Sequence, residues 1–362
     1  MPKNKYVART VPLLTFFDES FYYFICKILE DDIAKNRVKN TFGGWMLGTK
    51  LKKMEEDDLS IIQYTHNSYN PYLWTENWKK FLQIAKSFVD SRKYKYVIKL
   101  DISNFYDSIN LNILLSKLYK AVAKEKMWSV DYLSFFLKYW NKGFNNYLPR
   151  SQGLPQNEFG DQSRLLANFY LQEYDEIVKN TCDEHFIEYV RYADDQLLFL
   201  SSDNYENVLL VVNKELNKLG LNLNSSKCRL MSIDDFSEYH LLKPLSLLDE
   251  KRNDDSLTLF LNIYNKNKNI RYDTYFKRIL GTSVGLSSFN KNLLDRAIDA
   301  IVFGTDFVLY CNAKQLKAIY EYLDCIMKQK FIDLLKQMAK EVKFNYVEIT
   351  INAFLESIKN AN

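Results

Sequence analysis

Residues 188–200 read Glu-Tyr-Val-Arg-Tyr-Ala-Asp-Asp-Gln-Leu-Leu-Phe-Leu, with an acidic pair set between two apolar runs. This pattern predicts two short strands joined by a tight turn at Asp194 and Asp195. Asp pairs are common in polar loops, where they are merely solvated. Here the flanking strands project both carboxylates from the edge of a buried sheet instead. Like charges side by side repel, so the arrangement is costly unless a cation sits beside them.

A third carboxylate comes from Tyr94–Ile102 (YKYVIKLDI), a β-branched and aromatic run that reads as a strand with Asp101 near its end. Carboxylates at the ends of neighbouring strands suit hard divalent ions, and could hold two of them roughly 3.5 to 4 Å apart. One ion would lower the pKa of an attacking 3′-hydroxyl and the other would steady a triphosphate and its leaving pyrophosphate. Phosphoryl transfer asks a protein for little beyond such positioning and charge.

The rest of the chain supplies a setting for that site. Apolar stripes at Phe21, Phe24, Ile25, Ile28, Leu29 and Ile33, and at Trp78, Phe81, Leu82, Ala85 and Phe88, predict a largely helical first ninety residues. Pro149–Gly160 reads as a loop. Leu165, Leu166, Phe169, Tyr170, Tyr174, Ile177 and Val178 then mark one long amphipathic helix. Asp203-x-x-Glu206 forms a capping box for a helix to Leu219, with Gly220 as its C-terminal cap and a short strand at Leu221–Leu223. Asp249–Asn269 is charged and Asn-rich, which suggests a linker or exposed loop. Stripes such as Leu316, Ile319, Tyr320 and Leu323 make the last ninety residues a small helical domain.

Composition narrows the class. The 362 residues allow two ordinary domains, and 47% hydrophobic with 26% charged residues demands a packed core. Aromatic residues, at 15%, exceed what core filling needs, so some rings are candidates for stacking on bases. A net charge of +4 does not by itself announce a nucleic-acid partner. The clusters Lys50-Leu51-Lys52-Lys53 and Arg92-Lys93-Tyr94-Lys95 could track phosphates or be solvated faces. The five cysteines contain no C-x-x-C pair and the three histidines are scattered, which argues against a zinc site or a disulfide framework and for a reducing, cytoplasmic setting. No run approaches the roughly 18 apolar residues of a membrane span.

Four segments in order carry a resemblance. Tyr192-Ala193-Asp194-Asp195 resembles the YADD metal-binding motif of reverse transcriptases. Asp101-Ile102-Ser103-Asn104-Phe105-Tyr106-Asp107-Ser108-Ile109 resembles that family's first palm motif, D-I-x-x-F-F/Y-x-x-I. Gly153-Leu154-Pro155-Gln156 with Ser163–Leu171 resembles its second, and Leu219–Lys227 its fourth.

The resemblance implies an α+β right-hand polymerase: helical fingers over 1–93, an antiparallel-sheet palm with interleaved fingers elements over 94–248, and a small all-helical thumb-like domain over 249–362. It implies a nucleotidyltransferase with two Mg²⁺ ions, or Mn²⁺, held by Asp101, Ile102, Asp194 and Asp195. Catalytic roles fall to Asp101, Asp194, Asp195 and Lys227, the last beside the leaving phosphates. Tyr106 stands where the family keeps the steric gate against a ribose 2′-hydroxyl; with Phe105 and Gln156 it makes the substrate-binding set. Lys50, Lys52, Lys53 and Arg92 are candidates to meet the triphosphate.

The implied partners are an RNA template, DNA product and dNTPs, with no membrane. Asn157 replaces the usual glycine after Pro-Gln, followed by a longer run to Ser163, which puts ordinary processive copying in question. The retron signatures N-A-x-x-H and V-T-G are missing. The Ser163-Arg164 helix start and the helical C-terminal region look more like the bacterial defence-associated and abortive-infection enzymes. Relatives of that kind copy a noncoding RNA, prime from a protein tyrosine or synthesise without a template, and assemble as homo-oligomers or with a second polymerase subunit. A catalytically silent RNA-binding scaffold and an RNA-dependent RNA polymerase are the competing readings.

Overall fold

The computed structural model describes residues 11–44, 47, 73–141, 150–156, 160–202, 204–281, 286–342 and 344–359. It divides into two compact units, Val11–Ile233 and a second built from Asp234–Asn362. Lys50, Lys52, Lys53, Asn157 and Asp203 lie outside the described residues.

The first unit holds a five-stranded sheet in the order β1-β3-β4-β2-β5. Its strands are β1 (Thr41–Phe42), β2 (Tyr96–Asp101), β3 (Glu188–Tyr192), β4 (Asp195–Leu200) and β5 (Arg229–Ser232). All pairings are antiparallel except β1 with β3. Alternation along β2 and β4 gives the sheet two apolar faces. Ile98, Leu100, Leu198 and Leu200 join the main core. Val97, Leu197 and Phe199 are buried on the opposite face. There Phe199 meets Phe88, with ring centroids 5.1 Å apart.

Helices α1 (Phe16–Ile33), α2 (Leu73–Asp90), α3 (Leu111–Ala121), α4 (Met127–Tyr139), α5 (Asp161–Tyr170), α6 (Gln172–Glu184) and α7 (Glu206–Lys218) also belong to this unit. The apolar stripe of α1 is rotated from the expected one: Tyr22, Ile25, Cys26, Leu29 and Ile33 are buried, while Phe21 and Phe24 are exposed. With six aromatic residues in the helix, two overlapping stripes fit the period, and packing against α4 and α5 selects one. The long helix expected after residue 160 is interrupted at Leu171, which separates α5 from α6. Gly220, at φ +71°, follows the end of α7 as expected. The strand expected at Leu221–Leu223 is reduced to a single bridge between Leu223 and Ile102; the pairing strand is β5.

The second unit is helical: α8 (Ile233–Tyr239), α9 (Leu242–Asp249), α10 (Asn253–Lys266), α11 (Tyr272–Leu280), α12 (Lys291–Ile298), α13 (Ala313–Tyr322), α14 (Cys325–Glu341) and α15 (Asn345–Lys359). The expected linker at 249–269 is instead mostly α10. Leu257, Phe260, Leu261 and Tyr264 fall at helical spacing and are buried among Tyr275, Phe276 and Phe307. Ser256 shares a buried hydrogen bond of 2.7 Å with the Tyr275 hydroxyl. No helix among the described residues is long and apolar enough to cross a membrane.

Candidate active site

Strands β3 and β4 pair with Tyr192 opposite Asp195, which leaves Ala193 and Asp194 as a two-residue turn. Ala193 takes φ +52°. A positive φ at the first central residue matches the twist of a tight hairpin, but it is a glycine-like conformation that an alanine holds only against some strain. Hydrogen bonds oppose that strain. The Ala193 N–H donates to the Phe42 carbonyl at 3.2 Å, and an arm of the Arg191 guanidinium donates to the Ala193 carbonyl at 2.9 Å. Gly43 crosses directly behind, at φ +102°, so close that a Cβ there would lie 3.0 Å from the Ala193 nitrogen. Only a glycine fits that crossing.

Asp101, remote in sequence, is brought to this turn by strand register. It is the cross-strand partner of Asp195. One residue on, the Ile102 N–H donates to the Asp194 carbonyl at 3.3 Å. The Asn224 N–H donates to the Asp101 carbonyl at 2.8 Å, which ties the segment carrying Lys227 to the same strand end. The Lys227 ammonium then reaches both carboxylate oxygens of Asp101, at 2.9 and 3.2 Å. A second cation escaped the sequence reading: Lys99 lies 3.2 Å from a carboxylate oxygen of Asp195. Its signal was available, because residues two apart on a strand share a face and Lys99 precedes Asp101 by that interval.

Burial, followed by the charges of Asp195 and Asp101, pushes the Asp194 carboxyl up to about 6, with Lys227 pulling partly the other way. Burial works against the Lys227 ammonium, but the Asp101 hydrogen bond and charge outweigh it and raise its pKa. Hard carboxylate oxygens of this number and placement fit a divalent cation such as Mg²⁺. Among the described residues, no three His, Cys, Asp or Glu side chains form a ready-made cage. The fit is thus one of donor chemistry and backbone placement, with Lys99 and Lys227 lying against two of the three carboxylates.

Tyr106 sits in the helical turn Phe105–Ser108 that follows β2, half-buried. Burial raises its phenol well above the ordinary value; Arg164 opposes this and Asp194 adds to it, so the hydroxyl lies within electrostatic reach of the acidic turn. The second motif is stitched to the same turn. The Leu154 N–H donates to the Tyr106 carbonyl at 2.9 Å and the Gly153 N–H to the Ile109 carbonyl at 2.7 Å. Gln156 follows, half-buried. Ser163 anchors the loop by donating to the Pro155 carbonyl at 2.5 Å.

Not every expected residue meets the site. Phe105, expected beside the substrate, is 3% exposed and belongs to the core, where its ring packs against Tyr106 with centroids 5.3 Å apart. Ile102 is buried and its side chain has no ligand atom, which leaves only its backbone for a metal role. Arg92 is exposed in the turn before β2, at the opposite end of that strand from Asp101. Six strand residues span about 20 Å, so Arg92 does not join the carboxylates.

A family model described as "Reverse transcriptase (RNA-dependent DNA polymerase)" matches residues 20–272, more than two thirds of the chain. No curated protein matches the sequence. Among solved structures, apo telomerase from Candida tropicalis is similar at 12% identity, over 94% of this chain and 57% of that one, with a TM-score of 0.39. The same telomerase truncated from its C-terminal domain gives 17% identity over 42% and 35%, TM-score 0.30. Telomerase from Candida albicans in complex with a fragment of telomeric RNA gives 14% over 76% and 52%, TM-score 0.36. The chain spans less than two thirds of the length of each of these telomerases.

Proposed function

The chain belongs to the reverse transcriptase family, and from that we propose that it is an RNA-directed DNA polymerase that adds dNTPs to a 3′ end with Asp101, Asp194 and Asp195 as its metal-binding carboxylates. The observation that carries the site assignment is the register of β2 against β4, with Asp101 opposite Asp195 and the Ile102 N–H on the Asp194 carbonyl. Two Mg²⁺ ions bound there would supply charge neutralisation at the attacking and leaving oxygens.

The chain's own residues do the rest. Asp101 and Asp195 hold their relative positions through strand pairing and Asp194 through the tight turn between β3 and β4, so little reorganisation is needed during the reaction. Lys227, whose ammonium rests on Asp101, would be placed to meet the departing phosphates if bound cations neutralised that carboxylate. Tyr106 closes the space beside Asp194 that a ribose 2′-hydroxyl would enter, which favours dNTPs. Gln156, stitched through Leu154 to Tyr106, supports the incoming base. In the right-hand description, residues 1–93 serve as fingers, 94–248 as palm and 249–362 as thumb.

A finer reading is a defence-associated enzyme that copies a noncoding RNA, supported by the Ser163-Arg164 helix start and the helical second unit. A specific observation also favours a second reading, a catalytically silent RNA-binding scaffold: Lys99 and Lys227 already neutralise two of the three carboxylates. Incubation with labelled dNTPs and Mg²⁺ or Mn²⁺, alone and with co-purified RNA, separates the two. Asp194→Ala with Asp195→Ala should abolish incorporation while the circular dichroism spectrum stays that of the folded protein. Metal-dependent synthesis that survives this double substitution would remove the assigned site.

A further inference from the structure

An arginine inside an apolar strand is costly unless fully paired. Arg191 has no exposed side-chain surface, and neither does its partner Asp175 on α6. The pair is bidentate: Nε lies 2.7 Å from Oδ1 and Nη2 2.5 Å from Oδ2. Burial works against the guanidinium charge, but Asp175 overrides it and keeps the group charged. The remaining arm, Nη1, does something a structural ion pair does not require. It donates to the Asn168 side-chain oxygen at 2.8 Å and to the Ala193 carbonyl at 2.9 Å. Asn168 in turn donates to the Gly43 carbonyl, the glycine that passes behind Ala193.

We propose that Arg191 is a positioning residue for the catalytic turn: anchored by Asp175, its free arm holds the Ala193 carbonyl and so fixes where Asp194 and Asp195 project. The inference rests on reading those carboxylates as the metal site. Three features support it together. The held carbonyl belongs to the residue at positive φ, where a tight hairpin is most easily released. Asn168 and Gly43 close the same linkage from α5 and from the end of β1. The fork geometry of arginine is needed, because a lysine can satisfy Asp175 but has no second arm for Ala193.

The test uses the full chain and separates positioning from fold stability. Arg191→Met combined with Asp175→Asn removes both buried charges and keeps an acceptor for the Tyr189 hydroxyl, which donates to Asp175 at 2.7 Å. Such paired removal is commonly tolerated. Arg191→Lys is the second variant. Mn²⁺ binding without nucleic acid is followed by the electron paramagnetic resonance signal of the free ion, beside circular dichroism melts and dNTP kinetics. The expected result is a folded protein that binds Mn²⁺ about tenfold more weakly, the size typical of losing a residue that orients metal ligands. Its kcat should fall while the KM for dNTP is retained. Wild-type Mn²⁺ binding in a folded variant overturns the proposal. If the double variant fails to fold, the same titration on Arg191→Lys decides: weakened binding supports the positioning role, and unchanged binding overturns it. Asp194→Ala with Asp195→Ala is the control that keeps the two claims apart. If that control binds Mn²⁺ normally, the metal site itself is wrong; if it loses Mn²⁺ while the Arg191 variants keep it, only the role of Arg191 falls.

Discussion

Replacing Asp194 by asparagine should stabilise the metal-free protein. The carboxyl is raised from 3.8 to about 6 by burial and by the neighbouring Asp195 and Asp101. The folded state therefore binds this proton more tightly than the unfolded chain does. Stability from the group is complete below its unfolded value and is lost as pH rises through about 6. About 1.4 kcal/mol per pKa unit gives a ceiling of about 3 kcal/mol at pH 8. Solvent access to a half-buried group trims that to about 1–3 kcal/mol. The amide has nearly the same shape and no charge, so Asp194→Asn should recover this amount. Urea midpoints in EDTA measure it: the variant should exceed wild type at pH 8, and the gap should shrink by about half at pH 5. Mg²⁺ should then favour wild type, because only the carboxylate gains from the cation. A variant no more stable than wild type at pH 8, or a gap indifferent to pH, would show that the turn carries no such electrostatic cost.

Two further outcomes test the surroundings. Tyr106→Val should open the space beside Asp194 and lower discrimination against rNTPs by about a hundredfold, the scale of rejecting one added hydroxyl, as read from paired dNTP and rNTP kinetics. Gly43→Ala forces a Cβ toward the Ala193 nitrogen at a backbone angle alanine disfavours. It should cost about 1–3 kcal/mol in urea unfolding and lower incorporation, whereas an unchanged protein would mean that this crossing is loose.

The hairpin was readable in the sequence because its apolar flanks and acidic turn leave few other ways to fold, and the order of the four motifs pointed to the family. Asp101 was expected near the Asp194-Asp195 turn from strand ends alone, without the register that places it opposite Asp195. What stayed hidden was mostly non-local. Nothing in Thr41–Phe42 announces a two-residue strand, since its partner β3 lies some 150 residues away. Nothing in the sequence singles out Arg191; its burial becomes meaningful only once Asp175 on α6 is seen to face it. Helix α10 was concealed by the Asp, Asn and Lys residues at both its ends, although Leu257, Phe260, Leu261 and Tyr264 keep the period. In α1 the excess of aromatics offered two plausible inner faces. Phe105 and Tyr106, adjacent in one motif, separate into a core residue and a half-buried one because a helical turn sends neighbours in different directions.

The two-residue turn between β3 and β4 also limits how this molecule can change in length. Inserting one amino acid between Ala193 and Asp194 would either loosen the turn or slide β4 by one step, and such a slide exchanges the two sides of the strand. Gln196 would then stand where Leu197 now packs, and Asp195 would no longer face Asp101. Point substitutions at the turn can be tuned one at a time, whereas an added or missing residue dismantles the carboxylate array and the interior in a single event.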